Sequence, residues 1–132
     1  MQGMTIKGSK YHGLEARNGL SFLCKRMTFT QCGLHGVYAY NTKGRLINCV
    51  ITQCGGSGIF CHDNALIELE GDQTKVDGNV TDWGGYGLST YSTSSTIHLL
   101  FPLTKESVST NNHNGQNYNS DGDGTIETIH SF

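Results

Sequence analysis

Residues 30–40 read TQCGLHGVYAY and residues 52–62 read TQCGGSGIFCH, so one motif returns after 22 positions. The glycine-aliphatic pair within it, Gly36-Val37 and Gly58-Ile59, has two further copies, Gly13-Leu14 and Gly87-Leu88. After each glycine the chain alternates, and the first and third places hold the expected inward residues: Leu14/Ala16, Val37/Ala39, Ile59/Cys61 and Leu88/Thr90. Short alternating segments at a regular spacing predict a repeated β-strand.

Other segments of the chain recur in the same way. The expected inward positions are Cys24, Met27, Phe29, Leu46, Cys49, Ile51, Ile67, Leu69, Ile97 and Leu99, with Val76 and Val108 equivalent at a shift of 32. Strands this short bury no face alone, but stacked coils place each residue on its equivalent about 4.8 Å away. A sandwich of antiparallel hairpins is the structural alternative, although it does not explain why like residues recur at a fixed shift.

The length of 132 residues predicts a single domain. Its strand coils cover about residues 4–110, a polar loop covers about 111–124, and a final strand covers about 125–129. Glycine occurs 18 times and proline once, which favours many tight corners between short strands.

The glycine-aliphatic strand opening, the Asn-rich turn and the segment Leu46-x-x-Cys49-x-Ile51 resemble the right-handed parallel β-helix repeat family. That family includes pectate-lyase-like enzymes, carbohydrate-binding and sugar-hydrolase repeats, and β-helix modules of some F-box proteins. The resemblance covers about residues 4–129 and implies an all-β solenoid of about five coils. It implies little about activity, because the fold also hosts lyases, epimerases, tailspikes and pure scaffolds.

The acidic residues do not form a convergent acid/base pair in this pattern. Glu68 and Glu70 alternate outward, Asp63 falls in a turn, and no carboxylate pair recurs at the coil shift beside a basic residue. The sequence therefore favours a non-catalytic scaffold, structural subunit or interaction subunit. A carbohydrate-binding module, or a carbohydrate-active β-helix of the lyase, hydrolase or epimerase type, is the alternative.

An outward aromatic face follows from the alternation of the glycine-led strands. We define it by Tyr38, Tyr40, Phe60, His62 and Tyr91, which point outward when their neighbours point inward. Contiguous exposed aromatic residues mark binding surfaces more often than single ones do. We expect a protein partner here, with a glycan as the alternative. Stabilisation of the sheet by cross-strand contacts alone explains the pattern equally well.

The corner before the repeat glycine lengthens along the chain. It is three residues long in the early coils and grows to residues 80–86 and then to residues 112–123. Equivalent corners lie side by side, so we expect a second binding edge formed by Trp83, Tyr86, His113 and Tyr118, together with Asp121 and Asp123. A flap that caps the last coil is the alternative.

One weak calcium motif is present. The run from residue 119 resembles an EF-hand loop, with the candidate ligands Asn119, Asp121, Asp123 and Thr125. It departs from that pattern because Asn119 stands in the first place and His130 in the twelfth. The same residues form ordinary turns, and no other cofactor is predicted.

Five cysteines, an odd number, fall at expected inward positions, which favours reduced thiols and a cytoplasmic or other reducing intracellular setting. No signal peptide or membrane-spanning run is visible. The net charge of −2 and the lack of a basic run argue against a nucleic-acid partner. His12 and His35 share a corner, and exposed histidines are favoured over a two-ligand metal site.

The chain enters its first strand at Met4-Thr5-Ile6 without an evident cap. We therefore expect an open sheet edge at the first coil. Another copy, a partner protein or the rest of a longer chain would cover it.

Overall fold

Three parallel sheets of five strands each make up the computed structural model, which describes residues 1–82, 84–92, 94–122 and 124–130. The first sheet contains β1 (Thr5–Lys7), β4 (Thr28–Thr30), β7 (Val50–Thr52), β10 (Lys75–Asp77) and β13 (Ser109–Thr110). The second contains β2 (Leu14–Arg17), β5 (Val37–Tyr40), β8 (Ile59–His62), β11 (Leu88–Tyr91) and β14 (Tyr118–Ser120). The third contains β3 (Phe22–Lys25), β6 (Lys43–Ile47), β9 (Leu66–Glu70), β12 (Thr96–Leu100) and β15 (Thr125–Ile129). Each coil adds one strand to each sheet, so the predicted parallel β-helix is confirmed and the hairpin sandwich is wrong.

The register follows the predicted repeat. Val37 pairs with both Leu14 and Ile59, and Ile67 pairs with Ile97. One predicted pairing is wrong, because Val76 pairs with Ser109 rather than with Val108. A short helix, α1 (Lys105–Val108), fills the preceding corner, and β13 begins only after its last residue. Val108 is still buried, at the end of the helix.

The inward positions of the three sheets form one apolar core. Its largest fully buried side chains include Phe29, Met27, Leu46, Ile51, Ile59, Ile67, Leu69, Leu88, Ile97 and Leu99. All five cysteines are free and buried in it, where burial raises the pKa of the thiols; the pKa of Cys54 reaches about 12. They pack as small apolar side chains.

The repeat glycines mark the closest approach between coils. A Cβ atom built on Gly36 would lie 2.3 Å from Ile51 Cγ2 and 2.8 Å from the carbonyl oxygen of Gly58. One on Gly58 would lie 2.8 Å from the carbonyl oxygen of Gly87. The motif therefore recurs because the backbone of the next coil occupies the space that a side chain needs.

A buried polar ladder, absent from the sequence predictions, continues the cysteine positions. Cys54 stands two residues after β7, and Asn79 and Asn112 stand in the same place after β10 and β13. The Asn79 amide donates to the carbonyl of Ile51 and accepts from the N–H of Cys54, both at 3.0 Å. Asn112 Oδ1 in turn accepts from the N–H of Asn79 at 2.9 Å. The side-chain amides thus form hydrogen bonds with backbone groups that are buried inside the corner. Leaving those backbone groups buried without partners would destabilise the fold.

In the last coil Tyr118 contacts α1. The segment predicted as a polar loop contains β14, whose Tyr118 pairs with the inward residue Leu88. The Tyr118 hydroxyl donates to Glu106 Oε2 at 3.3 Å, and Lys105 Nζ lies 4.8 Å from the ring centre. Tyr118 therefore links β14 to α1 in the last coil.

Candidate aromatic binding cleft

Strand alternation places the aromatic face on the outer side of the second sheet. Val37, Ala39, Ile59 and Cys61 are fully buried. Tyr38 pairs with Phe60, and His62 pairs with both Tyr40 and Tyr91. Of these five outward side chains, four are half-buried and Tyr91 is 49% exposed. The sequence predicted this stacking order.

The rings pack face to face along the solenoid. His12 and His35 lie 5.2 Å apart at an interplanar angle of 5°, and His35 and Phe60 lie 4.7 Å apart at 14°. Tyr38 and Phe60 are 5.8 Å apart at 3°. The two histidines, expected to be exposed at their corner, are half-buried because they extend this ladder of rings.

Both histidines are fixed by backbone hydrogen bonds. The N–H of His35 donates to His12 Nδ1 at 3.3 Å, and the N–H of Ser57 donates to His35 Nδ1 at 2.8 Å. Burial, and then the neighbouring His12, lower the pKa of His35 to about 4. The Nδ1 atoms of both rings are therefore occupied as hydrogen-bond acceptors. Within the part of the chain that the structure describes, no three His, Cys, Asp or Glu residues group to hold an ion.

Two further rings, those of His62 and Tyr91, are steeply inclined to the stacked rings. His62 is inclined at 71° to Tyr38 and at 62° to Tyr40, and Tyr91 is inclined at 81° to Phe60. His62 Nε2 and the Tyr38 hydroxyl share a hydrogen bond of 2.6 Å, and His62 Nδ1 lies 3.6 Å from Asp63 Oδ1. Burial raises the pKa of Tyr38, so its hydroxyl remains protonated. The arrangement therefore holds the Tyr38 hydroxyl and the His62 ring in fixed orientations.

These side chains enclose a surface cleft of about 480 Å³, which we call the aromatic cleft. Its lining residues are His35, Tyr38, Phe60, His62, Asp63, Tyr91 and Ser92. A polar cleft of about 490 Å³ adjoins it and shares Asp63 and Ser92. Sequence reasoning placed these two shared residues only in turns. Their position in the sequence could have indicated that they line the clefts, because each directly follows a strand that contributes to the aromatic face.

The left-handed backbone of that turn explains why its side chains reach the clefts. Asn41, Asp63 and Ser92 have φ values of 50°, 52° and 72°. Asn and Asp adopt this conformation more readily than other non-glycine residues do. Each turn thus presents a polar side chain beside the aromatic face at every coil.

An arginine covers the N-terminal side of the same face. The guanidinium carbon of Arg17 lies 5.2 Å from the Tyr38 ring centre and 6.0 Å from that of Tyr40. Its Nε donates to Glu15 Oε2 at 2.5 Å. A guanidinium, two aromatic rings and a carboxylate thus lie together at one end of the aromatic face.

Backbone hydrogen bonds place the two corners of the predicted loop edge side by side, and binding at this edge stays a prediction. The N–H of Tyr86 donates to Ser57 Oγ at 3.1 Å, and the N–H of His113 donates to the carbonyl of Asn79 at 3.1 Å. Tyr118 lies in β14, which continues the second sheet, and its hydroxyl contacts Glu106 of α1. Trp83 lies outside the described residues.

The proposed calcium ligands lie along strand edges. Asn119 pairs with Ser89 in β14, the N–H of Asp121 donates to the carbonyl of Thr90, and Thr125 begins β15. Asp123 lies outside the described residues. The first residues of the motif are thus extended strand, and calcium binding stays a prediction.

Comparison with known proteins bears on the fold. A family model described as a right-handed β-helix region matches residues 1–101. No curated protein and no solved structure matches the chain significantly. Among the described residues, none of the helices combines the length and the hydrophobicity that crossing a membrane requires.

Proposed function

The chain belongs to the right-handed β-helix family, and we propose that it is a non-catalytic scaffold that binds a protein partner through its aromatic face. The observation that carries this proposal is the aromatic cleft, which opens within contiguous half-buried rings. Its volume lies within the range of about 300–1,000 Å³ typical of ligand sites. Aromatic residues are also enriched at protein interfaces, where they anchor binding.

The orientation of the rings favours a protein over a sugar. His35, Tyr38 and Phe60 stack on one another, so their faces are mutually covered and their edges meet solvent. A sugar stacks on an aromatic face, whereas a partner side chain can enter between edges. The glycan alternative draws its support from the adjoining polar cleft, where Asn41, Asp63 and Asn64 offer hydrogen bonds to hydroxyl groups.

The same lining argues against glycoside hydrolysis at this place. Among the described residues that line the two clefts, Asp63 is the single carboxylate. Retaining and inverting hydrolases of the common type use a pair of carboxylates. The proposal therefore assigns binding, and no reaction, to the aromatic cleft.

We expect Tyr91→Ser to weaken partner binding at least about tenfold, because central aromatic residues dominate interface energetics. Tyr91 is 49% exposed, so the fold should be retained. The measurement is recovery of partners on immobilised protein, followed by calorimetry with the purified partner. Tyr11→Ser, at a tyrosine that is 61% exposed outside the aromatic face, is the matched control. Unchanged partner affinity for Tyr91→Ser contradicts the proposal, and loss of glycan-array binding instead supports the sugar alternative.

We also propose that another copy of the chain covers the first coil. Ile6, Leu14 and Phe22 are only partly buried there, and Leu20 is 73% exposed. The distribution of charge favours head-to-tail stacking, in which the last coil of one copy lies on the first coil of the next. The first 50 residues contain seven Lys or Arg and one Glu, whereas residues 51–132 contain two Lys and ten Asp or Glu.

Sedimentation velocity is expected to detect concentration-dependent association that weakens at about 0.5 M salt, where exposed charges are screened. Leu20→Asp should reduce this association, because it places a charge on the apolar end. Tyr91→Ser, on the side of the solenoid, should leave it unchanged. A monomer at all concentrations in low salt excludes self-stacking and leaves a different partner or further chain to cover the edge.

A further inference from the structure

We infer that the aromatic cleft binds a cationic side chain, an arginine of the protein partner, and this rests on the proposed function. The cleft combines the edges of the stacked Tyr38 and Phe60 rings with the ring of Tyr91, which is turned by 81° to Phe60 and is 49% exposed. Asp63 adds a carboxylate to the same lining. An exposed tyrosine ring beside a carboxylate matches the chemistry that attracts an organic cation.

Asp63 has capacity for such a ligand. Its side chain is 39% exposed, and among the described residues the one ionisable group within 4 Å of its oxygens that could pair with it is the His62 ring, at 3.6 Å. No Lys or Arg of that part of the chain lies within ion-pair distance of it. An apolar side chain entering the cleft would desolvate this carboxylate without replacing its hydrogen bonds, which is costly. A guanidinium replaces them.

The chain itself provides the precedent. Arg17 lies over Tyr38 and Tyr40, and its guanidinium donates to Glu15. In the following coils Phe60, Tyr91 and Asp63 again bring rings and a carboxylate to the same side of the solenoid. The cation is then the component that a partner supplies. Arginine suits this role better than lysine, because its planar group stacks on rings and still donates to a carboxylate.

The net charge of the surrounding coils points the same way. Residues 51–132 contain eight more acidic than basic residues, counting Lys and Arg against Asp and Glu. A positively charged partner is therefore attracted to the half of the solenoid that contains Asp63 and Tyr91. An acidic partner is repelled there.

Titration of the ¹⁵N-labelled protein with three capped tripeptides tests the inference. The central residue is arginine, lysine or citrulline, the last being an uncharged analogue of arginine. We expect the arginine peptide to shift the amide signals of His62, Asp63 and Tyr91 saturably, with a Kd on the order of 1 mM. The lysine peptide should bind more weakly, and the citrulline peptide should not bind.

Asp63→Asn should weaken the arginine peptide about tenfold, because it removes the charge. The variant should keep the turn, since Asn41 occupies the equivalent left-handed position. Asp72→Asn, at an exposed turn, is the control that should bind as the unmodified chain does. Equal binding of citrulline, no binding of the arginine peptide, or full affinity in Asp63→Asn overturns the inference. A partner lost with Tyr91→Ser but kept with Asp63→Asn leaves the proposed function standing.

Discussion

Gly36→Ala is expected to lower the free energy of unfolding by about 3 kcal/mol, the upper part of the range for overpacked core positions. The added Cβ would meet Ile51 Cγ2 at 2.3 Å and the carbonyl oxygen of Gly58 at 2.8 Å. The Ile51 side chain is buried and the Gly58 carbonyl accepts a hydrogen bond from Val37 at 2.8 Å, so neither can withdraw freely. Relief requires the two coils to separate locally, which weakens the second sheet on both sides of the substitution.

Urea unfolding followed by circular dichroism measures this effect. The matched control is Gly84→Ala, because nothing lies within 4 Å of a Cβ at that exposed glycine and its backbone is not left-handed. The control should change the free energy of unfolding by no more than about 0.5 kcal/mol. Similar stabilities for the two variants would show that the coils are not held as closely as the Gly13, Gly36, Gly58 and Gly87 series implies.

The same close contact explains why so much of the fold could be predicted from the sequence. In a stacked solenoid, equivalent residues of successive coils occupy the same environment. Similar residue types therefore recur in the sequence at the spacing of one coil. Gly36 and Gly58 both face a neighbouring carbonyl, and Val37 and Ile59 both point into the core. The repeat could therefore be recognised from the residues alone.

The prediction was wrong where the last coils depart from that repetition. Val108 was paired with Val76 by spacing, but α1 takes up the corner and moves the pairing to Ser109. Tyr118 looked like an outer loop residue, yet it pairs with Leu88 and contacts α1. The corner before β13 contains α1, and this insertion shifts the residues that follow out of the spacing from which the pairing was predicted.

The candidate site was predicted only as far as alternation reaches. Period two placed Tyr38, Phe60 and Tyr91 outward, and the predicted register correctly paired Tyr38 with Phe60 and Tyr91 with His62. It says nothing about ring angles, or about corner residues that are not on strands. His35 and Asp63 were therefore assigned to corners, although one extends the ring ladder and the other lines the aromatic cleft.

Acidification from pH 7 to pH 4 is expected to lower the free energy of unfolding by about 3 kcal/mol through His35. Burial is the main cause of its low pKa of about 4, and His12 adds to it. The N–H of Ser57 donates to Nδ1, so this nitrogen must stay unprotonated for the bond to form. The unfolded chain has no such constraint, and its histidine titrates at its ordinary pKa of 6.5.

The sign of the effect follows from these two pKa values. Between pH 6.5 and pH 4, the unfolded chain gains a proton that the folded chain does not, so stability falls as the pH is lowered and levels off below pH 4. His35→Asn keeps an acceptor near Nδ1 without a titrating group. Urea unfolding at pH 7 and pH 4 should therefore show a loss about 3 kcal/mol smaller for this variant than for the unmodified chain. His113→Asn, at an exposed histidine, should behave as the unmodified chain does. An equal pH dependence of the free energy of unfolding in His35→Asn and His113→Asn would contradict the prediction. It would mean that His35 gains a proton as readily in the folded protein as in the unfolded chain, so the hydrogen bond from Ser57 would not hold Nδ1 unprotonated.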